Sequence, residues 1–348
     1  MTDSDYILRC IQLARNGEYY VAPNPMVGAV LVNQADDTVF AEGWHHRYGE
    51  GHAEVECFRA ADRRMEGLSP AEVATIYGGL SLYVSLEPCS HYGKTPPCAD
   101  LIISKGVKHV VIGCLDPNPQ VAGRGVQKLR DAGIDVTVGV EEQACRELNK
   151  RFLCLHENHR PYVILKWAQT ADGFVDYARK DGKPLLISTP ATKQLVHKMR
   201  AENMAIMVGT RTALLDDPSL LTTRWPGRNP VRVVLDRNHR IPADAKIFSP
   251  DAQTLVYDRR TDWQYVLQNL AERGIHSVLV EGGPTLLNHI LESGIWDEMH
   301  IEVSPVSIGK GVPAPKVSLP DACELIEGAK LYTIYHSEKQ NVNNPQEK

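Results

Sequence analysis

The stretch from His52 to Cys98 constrains this chain more than any other, because it places one imidazole and two thiols within a short span. It opens Gly51-His52-Ala53-Glu54 and closes with Leu86-Glu87-Pro88-Cys89 and Thr95-Pro96-Pro97-Cys98. Zinc takes nitrogen and thiolate donors, and a zinc that does chemistry uses three protein ligands and leaves its fourth position to water. Glu54 lies two residues past the imidazole. Residues two apart do not share a face inside a helix, so His52 and Glu54 converge only where a helix begins, which the pattern predicts for 53–61. Zinc lowers the pKa of bound water from about 15.7 to about 7. A carboxylate at that place can carry protons between the water and a leaving amine.

His-x-Glu followed by Pro-Cys-x-x-Cys is the signature of zinc deaminases that attack an amino-bearing base carbon. This chain departs from it in one respect: Cys89 and Cys98 lie nine apart. The longer loop between them is polar and basic and is expected beside the substrate. Cys98 opens a predicted helix, whose N-terminal dipole favours a thiolate. Two plainer readings compete. The cysteines could be ordinary buried thiols, or the metal could be structural, although structural zinc normally closes with four protein ligands.

At 348 residues the chain exceeds what one core normally covers, so two domains are expected. The net charge of −5 comes with no basic run, which disfavours a nucleic-acid partner while leaving room for one small phosphate. The acidic N-terminus lacks an apolar signal core, and no apolar stretch of about 18 residues exists to cross a membrane. Eight scattered cysteines fit a reducing compartment. The expectation is a cytoplasmic homo-oligomer acting on a small molecule, with no nucleic acid and no membrane.

In chain order, Ser4 reads as the N-cap of a helix that stops near Asn16-Gly17. Pro23-Asn24-Pro25 then holds Asn24 on a fixed backbone. Strands are predicted at 29–32 and 38–44, the second delivering His45 and His46, one of which could donate a hydrogen bond to a ligand. Further strands at 82–85, 108–114 and 134–140 alternate with helices, which predicts a mixed, largely parallel sheet covered by helices. Residues 4 to about 150 resemble the cytidine-deaminase-like fold, and more narrowly the deaminase half of the bifunctional riboflavin-biosynthesis family. The narrower resemblance rests on Pro23-Asn24-Pro25-x-Val27-Gly28, Gly43-x-His45, His52-Ala53-Glu54-Val55, the run from Glu87 to Cys98, and Asp116-Pro117-Asn118-Pro119 with Gly123-Arg124-Gly125. It implies zinc on His52, Cys89 and Cys98, with Glu54 as the catalytic proton shuttle. It also implies that Asn24, His45, His91 and Lys94 face the pyrimidine or its phosphoribosyl arm.

A helix predicted from Glu141 to about Leu155 leads to the polar segment His156-Glu157-Asn158-His159-Arg160-Pro161. The expected boundaries are a deaminase domain at 1–147, a linker at 148–161, a reductase domain at 162–340 and a polar tail at 341–348. Strand 162–168 contains Lys166, and a lysine is almost never fully buried without a partner, so it is expected to face a site. Strands at 204–208 and 277–280 run into Gly209-Thr210 and Gly282-Gly283, each opening a helix. Bare backbone N–H groups and the dipole favour phosphate there, and two such corners suggest a dinucleotide across the strand ends. The half resembles the reductase domain of the same family, which is dihydrofolate-reductase-like and binds NADPH. The matching residues are Leu165-Lys166-x-Ala168, Asp172-Gly173, Ile187-Ser188, His197-x-x-Arg200, Val208-Gly209-x-x-Thr212, Asp216-Asp217-Pro218-Ser219-Leu220 and Val280-Glu281-Gly282-Gly283-Pro284-Thr285.

The resemblance implies catalytic roles for Lys166 and Asp216, which with Glu281 and Leu220 line the reacting sugar. Arg200 and Arg224 would hold its phosphate, a group that suits the guanidinium fork. Ala168, Leu186, Thr212, Asp216, Gly283, Pro284, Thr285, Leu286 and Leu287 would lie against NADPH. The whole reading is an α/β enzyme of riboflavin synthesis. It would hydrolyse an amino group from 2,5-diamino-6-(5-phosphoribosylamino)pyrimidin-4-one using zinc, then reduce the ribosyl chain to ribityl using NADPH. Two rivals stand beside it: a nucleoside or RNA-base deaminase with an inert second half, and a nucleotide-binding module with a structural zinc.

Overall fold

A computed structural model describes residues 1–91, 96–118, 121–179, 183–258 and 262–336, so Lys94 and the tail lie outside the described residues. The chain divides into two units, Met1–Asn158 and His159–Lys348. The first runs α1 (Asp3–Ala14), β1 (Gly28–Asn33), β2 (Thr38–Trp44), α2 (Ala53–Arg64), α3 (Pro70–Gly78) and β3 (Leu80–Leu86). It continues with α4 (Cys98–Lys105), β4 (His109–Cys114), α5 (Arg124–Asp131), β5 (Asp135–Val138), α6 (Glu142–Leu148) and α7 (Lys150–Asn158).

The alternation along β1 explains the layering. Ala29 and Leu31 pack with Cys57, Phe58 and Ala61 of α2 and with Ala99 and Ile102 of α4. Val30 and Val32, pointing the other way, pack with Ile7 and Cys10 of α1 and with Cys145 and Leu148 of α6. A strand apolar on both faces needs helices on both, which makes three layers. The sheet order is β2-β1-β3-β4-β5. It is parallel only from β3 onward, because β1 pairs antiparallel with both β2 and β3. The expected largely parallel sheet is corrected here: the turn between β1 and β2 is too short for a crossover and makes a hairpin. Gly43 of β2 has no room for a Cβ, which would meet the Cys57 backbone nitrogen at 2.2 Å, so α2 lies directly on the strand.

Two local expectations are also corrected, and one helix is added. Thr2, not Ser4, caps α1, in a capping box with Asp5. Ser69 caps α3, a helix the sequence reading did not assign. The single helix expected over 141–155 is broken at Asn149. Its buried amide accepts from Met26 N–H at 2.8 Å and donates to the Met26 carbonyl at 2.8 Å. The residues given to a linker are largely helical, in α7, since Leu153 and Cys154 are buried on its inner face.

The second unit contains β6 (Tyr162–Gln169), β7 (Phe174–Asp176), α8 (Pro190–Glu202), β8 (Ala205–Gly209), α9 (Thr210–Asp216), β9 (Val231–Leu235) and β10 (Thr254–Tyr257). Then come α10 (Trp263–Glu272), β11 (Ser277–Val280), α11 (Pro284–Ser293), β12 (Glu298–Val303), β13 (Val312–Pro313), β14 (Glu324–Ile326) and β15 (Ala329–Tyr335). Among the described residues its main sheet has the order β10-β9-β8-β11-β6-β12-β15-β14. The pairs from β10 to β12 are parallel and the last two antiparallel. Val163, Leu165 and Trp167 of β6 pack against Val266, Leu267, Leu287 and Ile290 of α10 and α11. Period-two alternation therefore turns Lys166 to the opposite face, where its register partner on β12 is His300. Among the described residues no helix is long and apolar enough to cross a membrane.

One buried carboxylate ties the first unit's strand ends together. Glu87, just past β3, accepts backbone N–H bonds from Asp116 at 3.2 Å, Gly123 at 3.0 Å, Gly125 at 2.9 Å and Val126 at 3.2 Å. Gly125 is obligatory there, since a Cβ would lie 2.1 Å from the Pro88 carbonyl. The bonds fix the loop that carries Cys89 against the segment that carries Asp116. Buried donors left without an acceptor cost about 1–3 kcal/mol each, not additively. Glu87→Gln, which turns an NH2 toward donors, is therefore expected to destabilise the first unit by about 3 kcal/mol. Urea unfolding would read this as a lowered midpoint, and an unchanged midpoint would contradict it.

Candidate active sites

Two helix starts and one loop bring the three zinc-type donors together. His52 is the N-cap of α2, with extended backbone at φ −69° and ψ 167°, and Cys98 is the first residue of α4. Cys89 follows β3 and accepts from the Cys98 backbone N–H at 3.2 Å. His52 Nδ1 lies 3.7 Å from Cys89 Sγ and 3.4 Å from Cys98 Sγ, and the three ligand atoms all fall within 4.8 Å of one another. Two sulfurs and one nitrogen at that spacing fit a tetrahedral zinc with a fourth corner open to water. The hydrogen bond between the thiols lowers Cys89 against the effect of its burial, while that bond and burial together raise Cys98. The bond to Cys89 raises His52 to about 8.

Glu54, in the first turn of α2, is 3 % exposed, and its burial pushes the carboxyl above its ordinary range. A carboxyl so placed gives up its proton less readily than a solvated one, which suits a group that must take a proton and pass it on. A cavity of about 330 Å³ opens over it, lined by Asn24, His45, His52, Glu54, Cys89 and His91 among others. Both ring nitrogens of His45 have partners within the unit. Its Nδ1 lies 2.9 Å from the Gly51 carbonyl, so that nitrogen donates, and Nε2 at 3.1 Å then accepts from the Asn24 amide. Burial lowers its pKa, which favours the neutral ring. His45 thus orients Asn24. Asp116 and Asn118 line the same cavity, and burial raises Asp116 to about 6. The sequence reading assigned them no role, although Asp116-Pro117-Asn118 was visible as a motif.

The second unit has a cavity of about 960 Å³ at the strand ends. Of the residues expected there, Lys166, Ala168, Leu186, Arg200, Thr212, Asp216, Glu281, Gly283, Pro284, Thr285 and Leu286 line it. Leu220, Arg224 and Leu287 are not among its lining residues. Leu287 is fully buried in the core, about 100° around α11 from Leu286. Leu220 is 3 % exposed with φ 56°. Arg224 is exposed, because the preceding residues are tied down elsewhere: Thr222 N–H to Asn229 Oδ1 and Thr223 N–H to His197 Nδ1. Arg200 reaches the cavity, but its fork grips Glu281 at 3.1 and 2.7 Å and the Leu221 carbonyl at 3.2 Å. Burial alone would raise Glu281; the Arg200 charge and fork hold it below the usual range.

Lys166 is buried, which lowers its pKa, while Glu281 and Glu302 oppose the shift. Asp216 is clasped by Arg179, which also bonds Asp176 at 2.6 Å. Arg179 and Glu302 were not foreseen. Glu302, the acidic residue of Met299-His300-Ile301-Glu302-Val303, could have been found by the argument that singled out Lys166. The Gly209 and Gly283 corners cap α9 and α11 at the ends of adjacent parallel strands. Gly283 N–H is held by Thr212 Oγ1 at 3.1 Å. Exposed Arg211, Arg237 and Arg240 also line the cavity. Cavity size, helix starts and cationic lining together fit a phosphorylated dinucleotide such as NADPH.

Comparison with known proteins agrees with both sites. Residues 1–114 match the model of the cytidine and deoxycytidylate deaminase zinc-binding region, and residues 161–328 match the RibD C-terminal domain. The riboflavin biosynthesis protein RibD of Aquifex aeolicus is 36% identical over 332 residues, covering 89% of each chain. That of Actinobacillus pleuropneumoniae is 38% identical over 337 residues, covering 89% of this chain and 85% of its own. The crystal structure of a diaminohydroxyphosphoribosylaminopyrimidine deaminase/5-amino-6-(5-phosphoribosylamino)uracil reductase from Thermotoga maritima superposes with a TM-score of 0.83 at 36% identity, covering 96% of this chain and 98% of its own. The cytidine-deaminase-like and dihydrofolate-reductase-like folds are thus both present, and the chain belongs to the RibD family of riboflavin biosynthesis proteins.

Proposed function

We propose that this chain catalyses two successive steps of riboflavin synthesis on one small-molecule ribotide. The first unit removes the 2-amino group of 2,5-diamino-6-(5-phosphoribosylamino)pyrimidin-4-one, and the second reduces the ribosyl chain of the product to ribityl. The observation that carries the reading is the His52, Cys89 and Cys98 cluster, of which His52 and Cys89 line a cavity together with buried Glu54. Zinc, when bound, supplies a Lewis acid that acidifies a water there. Glu54 takes a proton from that water and delivers it to the departing amino group. A C2–O bond forms, the C2–N bond breaks, and ammonia leaves. Asn24, oriented by His45, and Asp116 address the polar edge of the ring. His91 and Lys94 serve the phosphoribosyl arm.

NADPH, when bound in the second unit, supplies the hydride that ends on C1′. Lys166 donates a proton to the ring oxygen released as the C1′–O4′ bond opens. Glu281, braced by Arg200, holds the sugar hydroxyls. Asp216 is presented by Arg179 at the cavity wall. The cytoplasmic, homo-oligomeric state belongs to the same reading, as do the absence of nucleic-acid and membrane partners; the net charge of −5 supports the first of these absences.

Glu54→Gln should retain zinc by elemental analysis yet lower ammonia release by about 10²–10⁴-fold, the usual worth of a positioned proton carrier. Ammonia release that survives the change would refute the shuttle role. Chelation of zinc should abolish ammonia release while NADPH oxidation on the deaminated ribotide continues. Loss of both activities together would contradict the division of labour.

A further inference from the structure

The carboxylate of Glu302 stands beside Lys166 on β12 with no role in the chemistry so far described. It is 2 % exposed. Its oxygens are held by two hydroxyls from α8 and the turn before it. Ser188 donates to Oε2 at 2.6 Å and Thr192 to Oε1 at 2.8 Å. Lys166 Nζ lies 4.0 Å from Oε2. The alternation that turns Lys166 out of the core turns His300 and Glu302 the same way, since Met299 and Ile301 occupy the core face.

Three consequences follow from donor and acceptor counting. An ionised carboxylate only accepts, so Ser188, which lines the cavity, must give its one proton to Glu302. Its oxygen then meets a ligand as an acceptor. Second, the oxygens of Glu281 are already engaged by Arg200. Glu302 is thus a second counter-charge beside Lys166, held by hydroxyls where Glu281 is held by a guanidinium. Third, the Thr192 bond anchors that carboxylate to the first turn of α8, so Lys166 and Ser188 are registered by one group.

From this geometry we propose that Glu302 is a positioning residue of the reductase cavity. It sets Lys166 as donor and Ser188 as acceptor, a complementary pair for a sugar hydroxyl and the oxygen beside it. The proposal rests on the reductase reading above. The charged or titratable groups facing Lys166 are Glu281 beyond β11, Arg200 from α8, and Glu302 and His300 from β12, with His300 itself bonded to Glu298 at 2.5 Å.

Glu302→Gln removes the charge and forces an amide N–H toward one of the two hydroxyls. NADPH affinity, read by fluorescence, should stay within about twofold and report that the unit is folded. The kcat/KM for ribosyl reduction should fall about tenfold or more. Its alkaline limb should move to lower pH by about one unit, because a cation that loses an opposite charge gives up its proton more easily. The pH midpoint for acylation of Lys166, measured by mass spectrometry without cofactor, should move the same way. Glu302→Asp should restore the midpoint. A Glu302→Gln enzyme with wild-type rate and midpoint would overturn the proposal. If that variant fails to bind NADPH, Thr192→Val decides instead: a several-fold higher ribotide KM with an unmoved midpoint is expected, and no change in KM overturns the assignment. A wild-type chain without NADPH-dependent reduction would sink the reductase reading, and the acylation midpoint would then decide Glu302 alone.

Discussion

Holding one nitrogen and two sulfurs within 4.8 Å of one another is the requirement on which the first unit is built. No short segment can do it, because the three donors come from the starts of two helices and from a strand-end loop. Each support has a physical cause. Gly43 lets α2 lie on β2, which places His52; Pro97 starts α4 at Cys98; Glu87 pins the Cys89 loop through four backbone bonds. The start of α4 also turns the Cys98 backbone N–H onto Cys89 Sγ at 3.2 Å, which favours the thiolate at Cys89.

The second unit solves a related problem with the opposite sign. A lysine is placed in a strand of a sheet buried on both faces, where an isolated ammonium would be costly. Glu281 and Glu302 flank it, and each is in turn committed, the first to Arg200 and the second to two hydroxyls. Asp216, clasped by Arg179, follows the same rule. In both cavities polar groups at the wall are held by neighbours that are themselves hydrogen-bonded.

Legibility from the sequence tracked how local each feature is. The zinc donors and Glu54 could be read because their chemistry is rare and their spacing is restrictive. Strand β6 could be read from its apolar run, and Lys166 stood out as the residue that broke it. Asn149 could not be read as a helix break, since its amide is used by Met26, far away in the chain. Leu287 and Leu286 sit side by side in sequence, yet only the turn of α11 against the core decides which one lines the cavity. The setting of Arg224 could not be read either, because the bonds that fix its neighbours run to His197 and Asn229.

Taken alone, the order of residues determined the chemistry available: soft donors for a metal, a carboxyl two positions on, glycine corners at strand ends, and a charge inside an apolar strand. Those are properties of residue type and of helical or strand period, which act over a few positions. What folding alone decided is which groups meet. That His45 accepts from Asn24, that Arg200 grips Glu281, and that Glu302 stands 4.0 Å from Lys166 are contacts between distant segments. They exist only because burial, sheet register and the scarcity of partners in a water-poor interior force each polar group to find its complement.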